Sequence, residues 1–175
     1  MKAKLCALTV VALAIWGLKR HYSDASADDL WWILGPTARL AGIMTGTAFA
    51  ASPGEGYVSH ERLFLIEKSC AGINFMIAAF GMSAFALMHR VGSGVSGASV
   101  LGVSLLAGYM AAVLVNAARI AMALWLATHP VGLSIFTAAE IHRLEGIAVY
   151  FGGLVLLHEL VQWLDCRASV ARIGQ

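Results

Sequence analysis

The stretch EKSCAGINF, residues 67–75, lies where a polar part of the chain gives way to a long apolar run. The residues before it, 52–66, are mixed and largely polar, whereas residues 71–88 carry no charged side chain. An apolar run of about 20 residues is long enough for a helix to cross a bilayer. The stretch therefore predicts that Cys70 stands at the junction between water and hydrocarbon.

The composition around this stretch is that of an integral membrane protein. Of the 175 residues, 59% are hydrophobic and only 13% are charged, whereas roughly 25% are charged in an ordinary soluble domain. So few polar side chains cannot cover a water-soluble globule of this size. We expect one membrane-embedded domain over residues 1–175.

Charge and cysteine content exclude several classes of function. The net charge of +2, with no basic run of five residues, argues against nucleic-acid binding. The free-standing cysteines Cys6, Cys70 and Cys166 form no CxxC pair, which argues against a zinc site or a disulfide framework. For Cys6 and Cys166, inert packing and acylation both remain open. We expect no metal and no organic cofactor.

Apolar runs separated by polar breaks predict an all-α, polytopic membrane bundle of about five to six transmembrane helices. The predicted spans are residues 5–18, 30–51, 71–88, 98–128 and 144–164, with a short interfacial helix at 133–141. The first run is short, so a cleaved signal peptide is the alternative to a retained helix. Two extended pieces, 57–59 and 63–66, are predicted in the insert before Cys70.

Counting crossings brings three polar side chains to one side of the membrane. Arg119 is predicted near the end of the fourth span, on the same helix face as Asn116 three residues earlier. His142 is predicted just before the last span, and Cys70 begins the third. Two crossings, one in each direction, separate Cys70 from the other two, so all three share a side. The Lys and Arg residues outside the spans divide equally between the two faces and give no orientation.

These residue types fit nucleophilic catalysis. A thiolate is the attacking form of a cysteine, and nearby cations such as Lys68 or Arg119 favour it. With Cys70 attacking a carbonyl, His142 would protonate the leaving amine and Arg119 would hold the oxyanion. Asn116 would orient that arginine or add a hydrogen bond. Gly146, one helical turn after His142, would let another helix or a substrate backbone approach closely.

Other readings of the polar side chains stay open at this point. Arg39, inside the second predicted span, is either the partner of an acidic group or a snorkelling side chain. His158 and Glu159 are either a proton relay or an interhelical hydrogen-bonding pair. Together with Arg119 these three would line a polar path in a second hypothesis, a non-enzymatic helical membrane subunit or transporter. A catalytically silent scaffold that docks helical tails is a third.

Three short motifs resemble those of the exosortase/archaeosortase family, in the family's order. EKSCAGI at residues 67–73 is similar to its cysteine motif, NAARI at 116–120 to its Asn-x-x-Arg motif, and HRLEG at 142–146 to its histidine motif. The resemblance covers residues 63–151. Typical members are longer and have more spans, so the chain is similar to the short variants, such as exosortase K. The extra helices that would recognise substrate are missing.

The resemblance implies a membrane-embedded cysteine transpeptidase or protease of the cell envelope. Its substrates would be exported proteins with a C-terminal sorting signal of the PEP-CTERM type, made of a short motif, a transmembrane helix and a basic tail. Cys70 would form a thioester, His142 would act as acid and base, and Arg119 would stabilise the oxyanion. The acceptor would be a surface glycan, a lipid or water. The active site would face the extracytoplasmic side of the cytoplasmic (inner) membrane.

Overall fold

The computed structural model describes residues 2–92, 96–129 and 138–173, apart from the side chains of 138, 139, 141, 142 and 171–173. Its α-helices in this part of the chain are α1 (Lys2–Asp24), α2 (Trp31–Thr45), α3 (Ile73–Leu87), α4 (Gly97–Thr128) and α5 (Ala138–Ile173). The predicted helical class is confirmed. The predicted interfacial helix at 133–141 lies largely outside the described residues.

Within the described part of the chain, three segments are long and apolar enough to cross a membrane: Lys68–Arg90, Gly97–Thr128 and Arg143–Val170. The two longer helices keep much of their apolar surface on the outside of the fold. Exposed large apolar side chains on α4 and α5 include Val103, Leu106, Leu114, Trp125, Ile147, Phe151, Leu156 and Trp163. Apolar surface on this scale marks a contact with other apolar matter. Such a surface along these helices is compatible with a helical membrane protein.

The expectation of five to six spans is too high for the described chain. α2 has 15 residues, which rise about 22 Å and fall short of the roughly 30 Å of hydrocarbon. It ends at Thr45 because Gly46 adopts a left-handed conformation with φ of 67°, so the predicted limit at residue 51 was wrong. α1 has 23 residues, but basic residues at both ends leave only its middle uncharged.

The polar insert folds as a small antiparallel sheet. Its strands are β1 (Ala50–Ser52), β2 (Gly56–Ser59) and β3 (Phe64–Ile66), in the order β1-β2-β3. Ala50 pairs with Val58, and Tyr57 pairs with Ile66. Both predicted extended pieces are confirmed, while β1 was predicted as the end of a helix. β3 runs directly into the stretch that carries Cys70.

The chain divides into two compact units. Unit one comprises Met1–His21, Ile73–Ala111 and Gly153–Gln175, and unit two comprises Tyr22–Gly72 and Ala112–Gly152. α4 and α5 therefore contribute to both. Each of the described interactions below belongs to one unit.

Unit one is built on an apolar cluster from α1, α3 and the start of α4. Its buried members are Ala7, Val11, Phe80, Ala84, Met88, Val91 and Val100. α3 and α4 cross closely at Gly108, where a Cβ atom would lie 2.9 Å from the backbone nitrogen of Phe80. At one end of this unit the guanidinium of Arg90 pairs with the carboxylate of Asp165, which also lies 3.2 Å from Nε2 of His89.

Unit two packs the sheet and the Cys70 stretch against α2 and the connection before it. The backbone N–H of Gly54, in the β1–β2 turn, donates to both carboxylate oxygens of Asp28 at 3.0 Å. Nζ of Lys68 donates to the carbonyl oxygens of Ala25 at 2.6 Å and Ser23 at 3.2 Å. These long-range hydrogen bonds fix the backbone on which the cysteine sits.

Candidate active site around Cys70

Cys70 lies in a single turn of 3₁₀ helix between the sheet and α3. The turn spans Lys68–Ala71 and follows Glu67, whose backbone is extended. The N–H of Cys70 donates to the carbonyl oxygen of Glu67 at 2.8 Å. The hydroxyl of Ser69 donates to the Glu67 carboxylate at 2.6 Å and lies 3.8 Å from the Cys70 sulfur. The thiol is half-buried, so it combines a fixed position with access from outside.

Gly72 brings this turn against α4. Its φ of 68° is left-handed, a region that only glycine adopts without strain. A Cβ atom on Gly72 would lie 3.2 Å from Cγ of Asn116 and 3.3 Å from its Nδ2. Asn116 is fully buried, and its Nδ2 donates to the carbonyl oxygen of Cys70. The Asn-x-x-Arg segment is thereby hydrogen-bonded to the cysteine segment.

Tyr150 of α5 connects Asn116 to Arg119. Its hydroxyl donates to Oδ1 of Asn116 at 2.8 Å and accepts from Nη1 of Arg119 at 3.2 Å. The guanidinium carbon of Arg119 lies 5.4 Å from the centre of the tyrosine ring, within the range of a cation–π interaction. A hydrogen-bonded chain therefore runs from Arg119 through Tyr150 and Asn116 to the backbone of Cys70. We call these four residues the Cys70 network.

Arg119 also has electrostatic interactions in addition to its hydrogen bond with Tyr150. Its charge interacts electrostatically with Cys70 and with Glu145, whose side chain is 8% exposed. A Cβ atom on Gly146 would lie 3.3 Å from Nε of Arg119. The close neighbour of Gly146 is thus the Arg119 side chain, whereas the approach of another helix or a substrate backbone stays a prediction.

His142 is described only by its backbone, since its side chain lies outside the described residues. It belongs to α5, one turn before Gly146. Residues four apart share a helix face, so the backbone of His142 is on the face whose next turn borders Arg119. The predicted role of His142 as acid and base stays a prediction.

Lys68 occupies a different place from the one expected. It was predicted as a cation that would activate the thiol. Its ammonium instead donates to the carbonyls of Ser23 and Ala25 and lies 5.3 Å from the ring centre of Tyr22. Because those contacts hold the chain before α2, the role of Lys68 in unit two is structural.

The remaining polar candidates lie outside the Cys70 network. Arg39 is exposed on α2, Glu159 is exposed on α5, and His158 is half-buried on α5. The last two belong to unit one, whereas Arg39 belongs to unit two with Arg119. Cys6 and Cys166 are both exposed and free. Among the described side chains, no group of three His, Cys, Asp or Glu residues is arranged to hold a metal.

Sequence reasoning missed Tyr150 and gave no role to Glu145. A tyrosine within an apolar helix is common near a membrane interface, so its type alone is uninformative. Its spacing carried a signal, since Tyr150 follows Gly146 by one turn and His142 by two. Comparisons of the chain with protein-family models, curated proteins and solved structures found no match.

Proposed function

We propose that the protein is a membrane-embedded cysteine transpeptidase or protease that cleaves C-terminal sorting signals of exported proteins. The observation that carries the proposal is the Cys70 network, in which Asn116 and Tyr150 join Arg119 to the backbone of Cys70. An arginine connected through a half-buried tyrosine and a buried asparagine to the backbone of a half-buried cysteine is costly to build. Such an arrangement is expected in a site where negative charge forms during a reaction, because the arginine can stabilise that charge.

The reaction follows from the side chains in this arrangement. The Cys70 thiolate attacks the carbonyl carbon of the scissile peptide, and the electron pair of the C=O bond moves to oxygen. Collapse of this oxyanion breaks the C–N bond, leaves a thioester on Cys70 and releases the tail. The leaving nitrogen takes a proton from the acid, a role assigned to His142. An acceptor nucleophile or water then attacks the thioester carbon and gives its proton to the residue that acted as acid, and cleavage of the C–S bond releases the Cys70 thiolate.

Arg119 and Asn116 have different tasks in this account. Arg119 carries a permanent positive charge and stabilises the thiolate and the oxyanion. Asn116 holds the Cys70 carbonyl, so it is a positioning residue. Tyr150 holds Arg119 close to the Cys70 segment, since its hydroxyl forms hydrogen bonds with both Arg119 and Asn116. The basis for assigning the acid to His142 is its position on α5 and the HRLEG motif.

A shared side for these residues is supported by the helices between them. Cys70 precedes α3, Arg119 lies in the last third of α4, and both helices belong to segments that are long enough to cross a membrane. His142 begins α5 on the return. We assign this side to the extracytoplasmic face of the inner membrane, where an exported substrate would arrive.

The test identifies substrates without assuming one. Cells that express the protein are compared with cells that express Cys70→Ala, and the C-terminal peptides of exported proteins are measured by mass spectrometry. We expect new C termini, each just before a transmembrane helix, only with an intact Cys70. Cys6→Ala is the matched control and should give the wild-type pattern.

Either of two results would reject the proposal. One is an identical set of C termini in cells with Cys70→Ala. The other is a function of the protein in cells that is lost with His158→Gln or Glu159→Gln but kept with Cys70→Ala. The second result would favour the non-enzymatic subunit or transporter.

A further inference from the structure

Unit two contains a cavity that the cysteine chemistry does not use. It has a volume of about 380 Å³ and lies between the end of α2, the β2–β3 turn and the last turns of α4. Met44, Thr47, Arg62 and Trp125 are among its lining residues. Trp125 follows Asn116 by nine residues, which is two and a half helical turns. The cavity therefore lies on the face of α4 opposite the Cys70 network.

One polar group in this cavity fits an anion. Arg62 is exposed, and its contact with Glu61 at 3.9 Å joins two exposed side chains, which makes it a weak ion pair. A guanidinium donates two parallel hydrogen bonds to a phosphate or carboxylate. Thr47 is only 4% exposed, and its hydroxyl oxygen is buried, so it does not reach a ligand in the cavity.

The surroundings of the cavity are apolar and outward-facing. Trp125 is 55% exposed, and Met44 and Ile43 beside the cavity are exposed too. Leu63, next to Arg62, is 91% exposed and has a left-handed φ of 50°. That conformation is disfavoured for leucine, so the turn holds an apolar side chain outward against its backbone preference. Tryptophan, arginine and a protruding leucine together are typical of the level where lipid headgroups meet hydrocarbon.

We propose that this cavity binds the phosphate of an anionic membrane phospholipid. Arg62 donates to the phosphate oxygens, while Met44 and Trp125 contact the start of the acyl chains. Leu63 lies in the hydrocarbon beside them. The apolar rim favours a lipid over a soluble phosphate compound, because only a lipid has acyl chains that contact the exposed leucine and tryptophan. This binding is independent of the proposed reaction at Cys70.

The test measures retention of phosphatidylglycerol by the purified full-length chain in neutral detergent, using native mass spectrometry. Arg62→Gln should weaken retention about tenfold or more, because it removes a charged hydrogen-bond donor. Thr47→Val, which has the same shape and removes only a buried hydroxyl, should retain the lipid as wild type does. Arg39→Gln changes an exposed arginine outside the cavity and should retain the lipid as wild type does. Cys70→Ala should also retain it.

Further arms separate the possible sources of the anion. Diacylglycerol, which lacks the phosphate, should not be retained, and inorganic phosphate should not displace phosphatidylglycerol. Equal retention by wild type and Arg62→Gln would overturn the proposal, as would equal weakening by Arg39→Gln. Retention of diacylglycerol would show that only the apolar surface binds. Displacement of phosphatidylglycerol by inorganic phosphate would show that the cavity binds a soluble anion and would overturn the proposal of a lipid ligand.

Discussion

A Cβ atom on Gly72 would lie 3.2 Å from Cγ of Asn116, so the cysteine turn and α4 touch at a point where a side chain does not fit. This contact brings Nδ2 of Asn116 to the carbonyl oxygen of Cys70. Two segments 46 residues apart in sequence thus form one site.

Gly72→Ala should reduce substrate processing at least about tenfold, which corresponds to a loss of roughly 1.4 kcal/mol of transition-state stabilisation. The added methyl group pushes Asn116 away and breaks its hydrogen bond to Cys70. Gly46→Ala is the matched control, because Gly46 has nearly the same φ but nothing within 4 Å of its Cβ position. Both variants carry the left-handed strain of about 1 to 2 kcal/mol. Equal activity in the two variants would argue against the contact.

Tyr150→Phe should lower both stability and processing. The change leaves Oδ1 of buried Asn116 without the tyrosine donor, which costs about 1 to 3 kcal/mol, and it releases Arg119. Thermal unfolding and the rate of substrate cleavage would be measured together. Tyr109→Phe, on α4 in unit one, serves as the control. If Tyr150→Phe cleaved substrate at the wild-type rate, the Tyr150 hydroxyl would have no role in cleavage.

Gly146→Ala should impair processing because its Cβ atom would lie 3.3 Å from Nε of Arg119 and displace the guanidinium. Gly152→Ala, six residues after Gly146 on α5, meets nothing within 4 Å. In that variant, the better helix propensity of alanine, worth about 1 kcal/mol, should hold or raise stability. Cleavage rates are compared at equal protein levels. If both variants cleaved alike, the packing of α5 on Arg119 would not matter for activity.

Cys70 should react with a membrane-impermeant maleimide added outside intact cells. The chain for this measurement carries Cys6→Ser and Cys166→Ser, so Cys70 is its one thiol. The half-buried sulfur at the start of a membrane-crossing segment should be labelled more slowly than an exposed cysteine, yet from outside. Labelling that needs opened membranes would reverse the orientation assigned here.

The sequence was informative where residue type and spacing along the chain were enough to place a side chain. Asn116 and Arg119 lie three apart on a helix, and Cys70 ends a polar insert, so their approach to one side followed from counting crossings. Tyr150 was missed because its importance comes from a partner on another helix, and an aromatic residue in an apolar run has several ordinary uses.

The limits of the helices were harder to predict than their existence. Hydropathy alone carried the second apolar run to residue 51, whereas Gly46 ends α2 through its backbone conformation. Ala50 and Ala51 favour a helix by type, but pairing with β2 makes them a strand. Local preference yields here to tertiary hydrogen bonding. The place of Lys68 was missed for the same reason, since its carbonyl partners precede it by more than 40 residues.

The most direct test of the central claim is the mass of the protein itself during turnover. The chain is isolated in acid from cells that also make a substrate identified by its new C terminus, and its intact mass is measured before and after neutral hydroxylamine. We predict a covalent substrate adduct on Cys70 that hydroxylamine removes, as a thioester requires, and no adduct on Cys70→Ala. Normal substrate cleavage by Cys70→Ala, with no adduct at any stage, would contradict the account.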